Sequence, residues 1–549
     1  MQLISLLAVG GLATSAAARS MQSVGKRVEP VRPRLERAQR NSPLVQRQKS
    51  SIITTEASKK FAVNGSAGAI PDVSFDIGES YAGLLPISEA TDEEKQLYFW
   101  FFPSENEDAS DEITIWLNGG PGCSSLEGFL QENGPISWQY GSAPFAVYNP
   151  WNWANLTNMV WVEQPVGTGF TQGNATATSQ EETAAEFLGF FKNFVETFGL
   201  KNRKVYITGE SYAGRYVPYI ANAMVEKNDT EHYGVKGIMF YDPSVAEDVI
   251  LEDIPAVPFV DRWSGLFNFN ESFTKDIHER ADQCGYTDYI EKYLTFPPTE
   301  KLPTPANNSK VAGCNLWEDI YTNVFYSNPC FDVYAIATTC PLLWDVLGFP
   351  GSFDYLPEGE KIYFNRTEVQ KAINAPIQNW AECSNGVLDN DTSPQSSWEV
   401  IPKVIDALDR TVIVHGELDY ILLYNGTLMA IQNMTWGGMQ GFQTAPSDPF
   451  FVPYHEDISL TSLSAKGIMG TTHTERKLTW VAQAMSGHMV PQYQPSSAYR
   501  QLEFLLGRID SLSSEKPFTT LPGSGSGKNE TGYGKRDLGI MPQDARKWY

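Results

Sequence analysis

Apolar and β-branched residues gather into four short runs: Ile113-Thr-Ile-Trp-Leu117, Lys204-Val-Tyr-Ile-Thr208, Thr411-Val-Ile-Val-His-Gly416 and Leu478-Thr-Trp-Val-Ala-Gln-Ala484. Runs of this length bounded by glycine and polar residues read as buried strands. The second run passes through Gly209-Glu-Ser-Tyr-Ala-Gly214 into a helix-like continuation, and the fourth precedes an amphipathic stretch from about Ser497 to Arg508. Elsewhere the pattern changes. Residues 19 to 49 show no periodic apolar face, residues 245 to 350 are rich in Trp, Tyr, Phe and Pro, and a flexible tail is expected from Pro522-Gly-Ser-Gly-Ser-Gly527 onward.

A strand, a tight turn bearing one serine, and a helix together form the layout of a nucleophile elbow, which holds a serine hydroxyl above the sheet of an α/β-hydrolase. Ser211 is therefore the candidate nucleophile. Gly209 and Ala213 are small enough to let the arms of the turn approach, although Ala213 stands where the usual motif has a second glycine. Triad partners in this fold follow in the order Ser, acid, His. Asp419 and Glu417 both follow the strand-like run ending at Gly416, and two residues along an extended turn leave both able to face the same region. Of six histidines, His455, His473 and His488 come after them. His488 lies in Ser486-Gly-His-Met-Val-Pro491, between the fourth run and the amphipathic stretch, where the last catalytic loop of the fold belongs; His473 is expected to be solvated, and His455 has no strand to position it.

Three residues are required because serine is a poor nucleophile at its own pKa. A histidine must take its proton, and a carboxylate must hold the imidazole tautomer. The oxyanion needs donors as well. Candidates are the backbone N–H of Tyr212 and that of Gly120, in the glycine loop Asn118-Gly-Gly-Pro-Gly-Cys-Ser-Ser125. That loop lacks the lysine of a P-loop.

Trp116-Leu-Asn-Gly-Gly-Pro-Gly-Cys-Ser-Ser125, Glu132-Asn-Gly-Pro135, Asn149-Pro-Trp-Asn-Trp153, Glu163-Gln-Pro-Val-Gly-Thr-Gly-Phe170, Gly209-Glu-Ser-Tyr-Ala-Gly214 and Gly487-His-Met-Val-Pro491 resemble the serine carboxypeptidase family, in family order from about residue 70 to 510. The resemblance implies an α/β-hydrolase with a central, mostly parallel sheet and helices on both faces, carrying a disulfide-stapled cap insertion. It implies Ser211, Asp419 and His488 as the triad and Gly120 and Tyr212 as oxyanion amides. It also implies Asn118, Glu132 and Glu210 as the site for the substrate's free α-carboxylate, with the glutamates protonated in acid. The expected activity is release of single C-terminal residues from peptides and proteins at acidic pH. The alternatives are an acyltransferase or esterase on the same scaffold and a secreted binding protein without turnover. The chain departs from the family pattern at Glu417, where an aspartate usually precedes the catalytic one, at Ile238-Met-Phe-Tyr-Asp-Pro-Ser244, where Ile-Gly-Asn-Gly is common, and at Tyr493, where an acidic residue often stands.

The six cysteines suit disulfides better than metal, since neither their spacing nor the histidines give a zinc pattern, and no cofactor is implied. The family resemblance pairs Cys123 with Cys383. Cys284, Cys314, Cys330 and Cys340 allow three connectivities, of which the nested 284–340 and 314–330 arrangement is preferred. The first 18 residues carry the apolar run Leu3-Ile-Ser-Leu-Leu-Ala-Val9 and end on Ala16-Ala-Ala18, a signal-peptide layout without a positive n-region. The organisation expected is a signal peptide (1–18), a basic pro-segment or arm with a dibasic Lys26-Arg27 (19–50), a hydrolase core (51–244 and 351–510) interrupted by the insertion (245–350), and a tail with Lys535-Arg536 (511–549).

Sequons at Asn64, Asn155, Asn174, Asn228, Asn270, Asn307, Asn365, Asn390, Asn425, Asn433 and Asn529 favour passage through the secretory pathway, to the medium or a vacuole, with Asn425 suspect for its closeness to Asp419. No later run is long enough to span a membrane, and no lipid anchor is expected from the residues at the C-terminal end. The formal charge of −24 becomes −31 without the basic arm, which argues against nucleic acid as a partner and leaves peptide C-termini as the expected substrate.

Overall fold

The computed structural model describes residues 55–139, 145–303, 311–341, 343–348, 361–455 and 465–520. The signal-peptide and pro-segment assignments, both dibasic pairs, Asn307, Asn529 and the C-terminal tail beyond residue 520 lie outside the described residues.

Eleven strands form one sheet: β1 (Ala62–Val63), β2 (Ser80–Pro86), β3 (Gln96–Phe102), β4 (Glu112–Leu117), β5 (Met159–Glu163), β6 (Lys204–Glu210), β7 (Val235–Tyr241), β8 (Arg410–Gly416), β9 (Asp448–Val452), β10 (Gly467–Glu475) and β11 (Leu478–Gln483). Their spatial order is β1-β2-β3-β5-β4-β6-β7-β8-β11-β10-β9. The six central strands, β5 to β11 in that order, are mutually parallel, and the flanking pairs are antiparallel. Parallel strands need cover on both faces. All of β4 and β11 is buried accordingly.

Helix α1 (Gln180–Phe198) covers one face. It begins where the Ser179 hydroxyl accepts from Glu182 N at 3.2 Å and ends at Gly199 with φ 66. Phe187, Phe191, Phe194 and Phe198 recur at three- and four-residue steps and are buried, with Phe194 and Phe198 packed edge-on against Phe99 and Phe101 of β3. The other face buries Trp100, Trp116 and Trp161. No described helix is long and apolar enough to cross a membrane.

Between β7 and β8 the chain forms α3 (Ile254–Arg262), α4 (Glu271–Gln283), α5 (Tyr286–Tyr293) and α6 (Leu316–Val324), after α2 (Ala213–Lys227) of the core. The aromatics of this insertion are mostly packed together: Phe259, Phe267 and Phe331 surround Tyr420, and Trp317 stacks on Tyr420 at 5.4 Å. Its disulfides correct the nested expectation, since Cys284 pairs with Cys314 and Cys330 with Cys340. Helix α6, nine residues and about 13 Å long, separates Cys314 from Cys330. Arg280 at the end of α4 donates to Gly313 O at 2.8 Å and brings Cys284 to Cys314, while Asn328 donates to Thr338 O at 2.8 Å and closes the loop around Cys330 and Cys340.

Candidate active site

Catalytic groups in a parallel α/β sheet collect beyond the C-terminal ends of the strands. Ser211 follows β6, Asp419 follows β8 and His488 follows β11. Ser211 has φ 59, with its N–H donating to Tyr241 O at 2.9 Å, so the turn into α2 holds it in a left-handed conformation. A Cβ on Gly209 would sit 2.7 Å from the Ala213 Cβ, and one on Gly119 would sit 2.4 Å from Tyr212 N. Both closures therefore need glycine: the elbow on itself, and the glycine loop against the elbow. Gly120 (φ 106) and Tyr212 flank Ser211 in the wall of a cleft of about 560 Å³, which Arg215, Leu388 and Ile421 also line. Tyr212 Oη donates to Asp391 at 2.7 Å, and Arg215 pairs with the same carboxylate at 3.1 Å.

His488 Nδ1 lies 2.8 Å from Asp419 Oδ2, both side chains being buried, and His488 Nε2 has no partner among the described residues. Asp419 Oδ1 accepts from Ile421 N at 2.8 Å. The insertion fixes both loops: His488 N donates to Tyr334 O at 2.7 Å, and Tyr420 N to Val333 O at 2.8 Å. Glu417 turns away to Arg262 at 3.1 Å, which separates the two acids that spacing alone leaves equivalent. His473, expected to be solvated, is instead a buried residue of β10, bonded to Glu475 at 2.9 Å and covered by the Phe442 ring at 4.8 Å. His455 is buried beside Trp151, 4.7 Å between ring centres.

Asn118, Glu132 and Glu210 come together, and Glu127 joins them. Carboxyl oxygens of the three glutamates lie within 4.8 Å of one another. Asn118 Nδ2 donates to Glu210 at 2.8 Å and also to Glu127, while its Oδ1 accepts from Trp116 Nε1 at 2.7 Å. Among the described residues, the Glu132 oxygens have no amide, hydroxyl or cationic partner and face the carboxyls of Glu127 and Glu210. Burial, then like charge, holds Glu132 and Glu210 well above the usual carboxyl range, and burial pushes Glu127 up to about 7. Glu127 escaped sequence reasoning because five residues do not normally bring side chains together on a helix. Here Gly128–Glu132 forms a π-turn, with Asn133 N donating to Gly128 O at 3.0 Å.

Cys123 is bonded to Cys383, and Ser384 N donates to Gly122 O at 2.9 Å, so the glycine loop is tied to a segment 260 residues away. Of the described sequons, Asn64, Asn174, Asn228, Asn270 and Asn390 are exposed, and Asn155, Asn365, Asn425 and Asn433 are half-buried. Asn365 donates to Trp380 O at 2.7 Å, Asn433 accepts from Leu302 N at 2.9 Å, and Asn425 Oδ1 is buried.

A serine on a left-handed strand-to-helix turn, with a histidine–aspartate pair delivered from later strand ends, defines a serine hydrolase of the α/β-hydrolase class. The chain belongs to the serine carboxypeptidase family, whose profile matches residues 71–507, and it is a hydrolase of the serine carboxypeptidase type. It is 56% identical over 527 residues to a probable serine carboxypeptidase of Arthroderma benhamiae, covering 92% of this chain and 98% of that protein. It is 48% identical over 463 residues to serine-type carboxypeptidase F of Aspergillus niger, covering 81% and 87%. Among solved structures, the prohormone-processing carboxypeptidase Kex1 of Saccharomyces cerevisiae superimposes with a TM-score of 0.63 at 22% identity, covering 83% of this chain and 98% of that one, a likeness of fold.

Proposed function

We propose that this enzyme removes single residues from peptide C-termini in mildly acidic solution through an acyl-enzyme on Ser211. His488 Nε2 takes the Ser211 proton as the hydroxyl attacks the last peptide carbonyl. Asp419 holds the ring and stabilises the imidazolium, and the N–H groups of Gly120 and Tyr212 receive the oxyanion. The imidazolium then protonates the leaving amine, and water repeats the sequence in reverse to free Ser211.

The observation that carries the exopeptidase reading is the set of buried glutamates beside the elbow, with no ion-paired lysine or arginine among the described residues. Glu210 immediately precedes Ser211, so a substrate carboxylate held by Asn118, Glu132 and Glu210 places the last peptide bond beside the nucleophile. Neutral acids can donate hydrogen bonds to a carboxylate, whereas ionised ones repel it. Acid solution is therefore the working condition. The exposed sequons and the apolar N-terminal run support a glycosylated protein of the secretory pathway, extracellular or vacuolar. The test of the exopeptidase reading is hydrolysis of an N-blocked dipeptide and of its C-terminal amide at pH 5: the acid should be cleaved with a KM far below that of the amide, and equal KM values would overturn the reading.

A further inference from the structure

Behind Asp419 the structure places a second carboxyl. Asp242 follows β7 in the stretch that departs from the family pattern, and it is completely buried. Its N–H donates to Val414 O and its Oδ1 accepts from Gly416 N, each at 2.8 Å, which pins it to the strand that delivers Asp419. Its Oδ2 is buried with no amide, hydroxyl or cationic partner among the described residues. Polar atoms of Asp242, His415 and Asp419 lie within 4.8 Å of one another.

The groups that face Asp242 come from three other strands. From β8, His415 Nε2 stands 3.4 Å from Asp242 Oδ1 but donates to Leu422 O at 2.8 Å, and burial pushes its imidazole down to about 4, so it brings no charge near neutrality. From the loop after β8 comes Asp419, and from the end of β6 comes Glu210, both carboxyls whose ionisation would disfavour a charge on Asp242. From the loop after β11, His488 bonds Asp419 Oδ2. An ionised Asp242 would be buried and uncompensated, and burial together with Asp419 holds its carboxyl well above the usual range.

We propose that Asp242 is a positioning residue for the triad: its carboxyl carries a proton on Oδ2 and donates it in a hydrogen bond to the Asp419 carboxylate, which then accepts from both Asp242 and His488. The inference rests on the triad reading given above. Its consequence concerns acid solution. A donor on Asp419 draws off part of the negative charge that an imidazolium would otherwise meet, so its removal is expected to show in the acidic limb of the rate profile.

Two variants separate the donor from the carboxyl. Asp242→Asn keeps a donor and tolerates the φ of 43, while Asp242→Gly removes the donor at a conformation glycine adopts freely. The substrate is an N-blocked amino acid ester without a free carboxylate, so that ionisation of the glutamates does not govern its binding. The asparagine variant should keep kcat within about threefold and leave the acidic limb of kcat/KM in place. The glycine variant should lose about tenfold or more in kcat with little change in KM, and its acidic limb should move up by about one pH unit. An infrared difference spectrum at pH 5, wild type minus Asp242→Asn, should contain a neutral carboxyl band, a readout that stands even if the glycine variant does not fold.

The proposal is overturned if the glycine variant leaves the limb in place, if the asparagine variant moves it as far as glycine does, or if the difference spectrum contains a carboxylate band instead. Ser211→Ala in the same ester assay tests the underlying reading separately. Ester hydrolysis that survived that substitution would sink the triad, whatever Asp242 does.

Discussion

Replacing Glu127 by glutamine should carry carboxypeptidase activity to higher pH. Glu127, Glu132 and Glu210 lie within 4.8 Å of one another, and Glu127, pushed up by burial to about 7, is expected to be the first to ionise as pH rises. A substrate carboxylate bonded to Glu132 or Glu210 would then face a unit charge at roughly that separation. At an effective dielectric constant of about 20, that repulsion is about 3.5 kcal/mol, or roughly 300-fold in affinity. The wild-type KM for an N-blocked dipeptide should therefore hold steady below pH 6 and climb by about two orders of magnitude across neutrality. Glu127→Gln can still accept from Asn118 but cannot ionise, and at pH 8 its KM should lie at least about tenfold below that of the wild type. The assay is initial-rate kinetics from pH 4 to 9 on the dipeptide and on its amide. Superimposable KM curves for wild type and variant, or an amide KM that climbs in step with that of the acid, would refute the reasoning.

Asp419→Asn should lower kcat by about four orders of magnitude through the wrong imidazole tautomer, whereas Glu417→Gln, which loses only its pairing with Arg262, should change kcat by less than about threefold; steady-state kinetics on one peptide checks both. Thermal stability should fall as pH rises. Burial holds Glu163 at about 7 in the folded chain against an ordinary 4.5, so its contribution is full below pH 4.5 and about 3 kcal/mol of stability is lost by pH 7. Differential scanning calorimetry should show Glu163→Gln falling less steeply over that interval.

The sheet, and the placing of Ser211, Asp419 and His488 beyond its strand ends, were legible because each depends on local signals that survive in one dimension: apolar runs for buried strands, and a serine, an acid and a histidine each placed just after one. Side-chain direction was not legible. Glu417 and Asp419 follow the same strand, and only the packing of Arg262 against one and His488 against the other distinguishes them. Glu127 and Asp242 stayed hidden for related reasons, the first because a π-turn breaks ordinary helical spacing, the second because it meets Asp419 across a sheet register. The insertion's cysteines were misjudged because pairing followed where α4 and α6 carried them, which spacing does not record.

Ser211 is expected to remove residues one at a time from a free C-terminus. Time-resolved mass spectrometry of a mixed peptide pool at pH 5, wild type against Ser211→Ala, tests it directly. Ladders shortened residue by residue from the C-terminus in the wild type alone are the predicted result. Internal cleavage, or C-terminal ladders that persist in Ser211→Ala, would contradict the account.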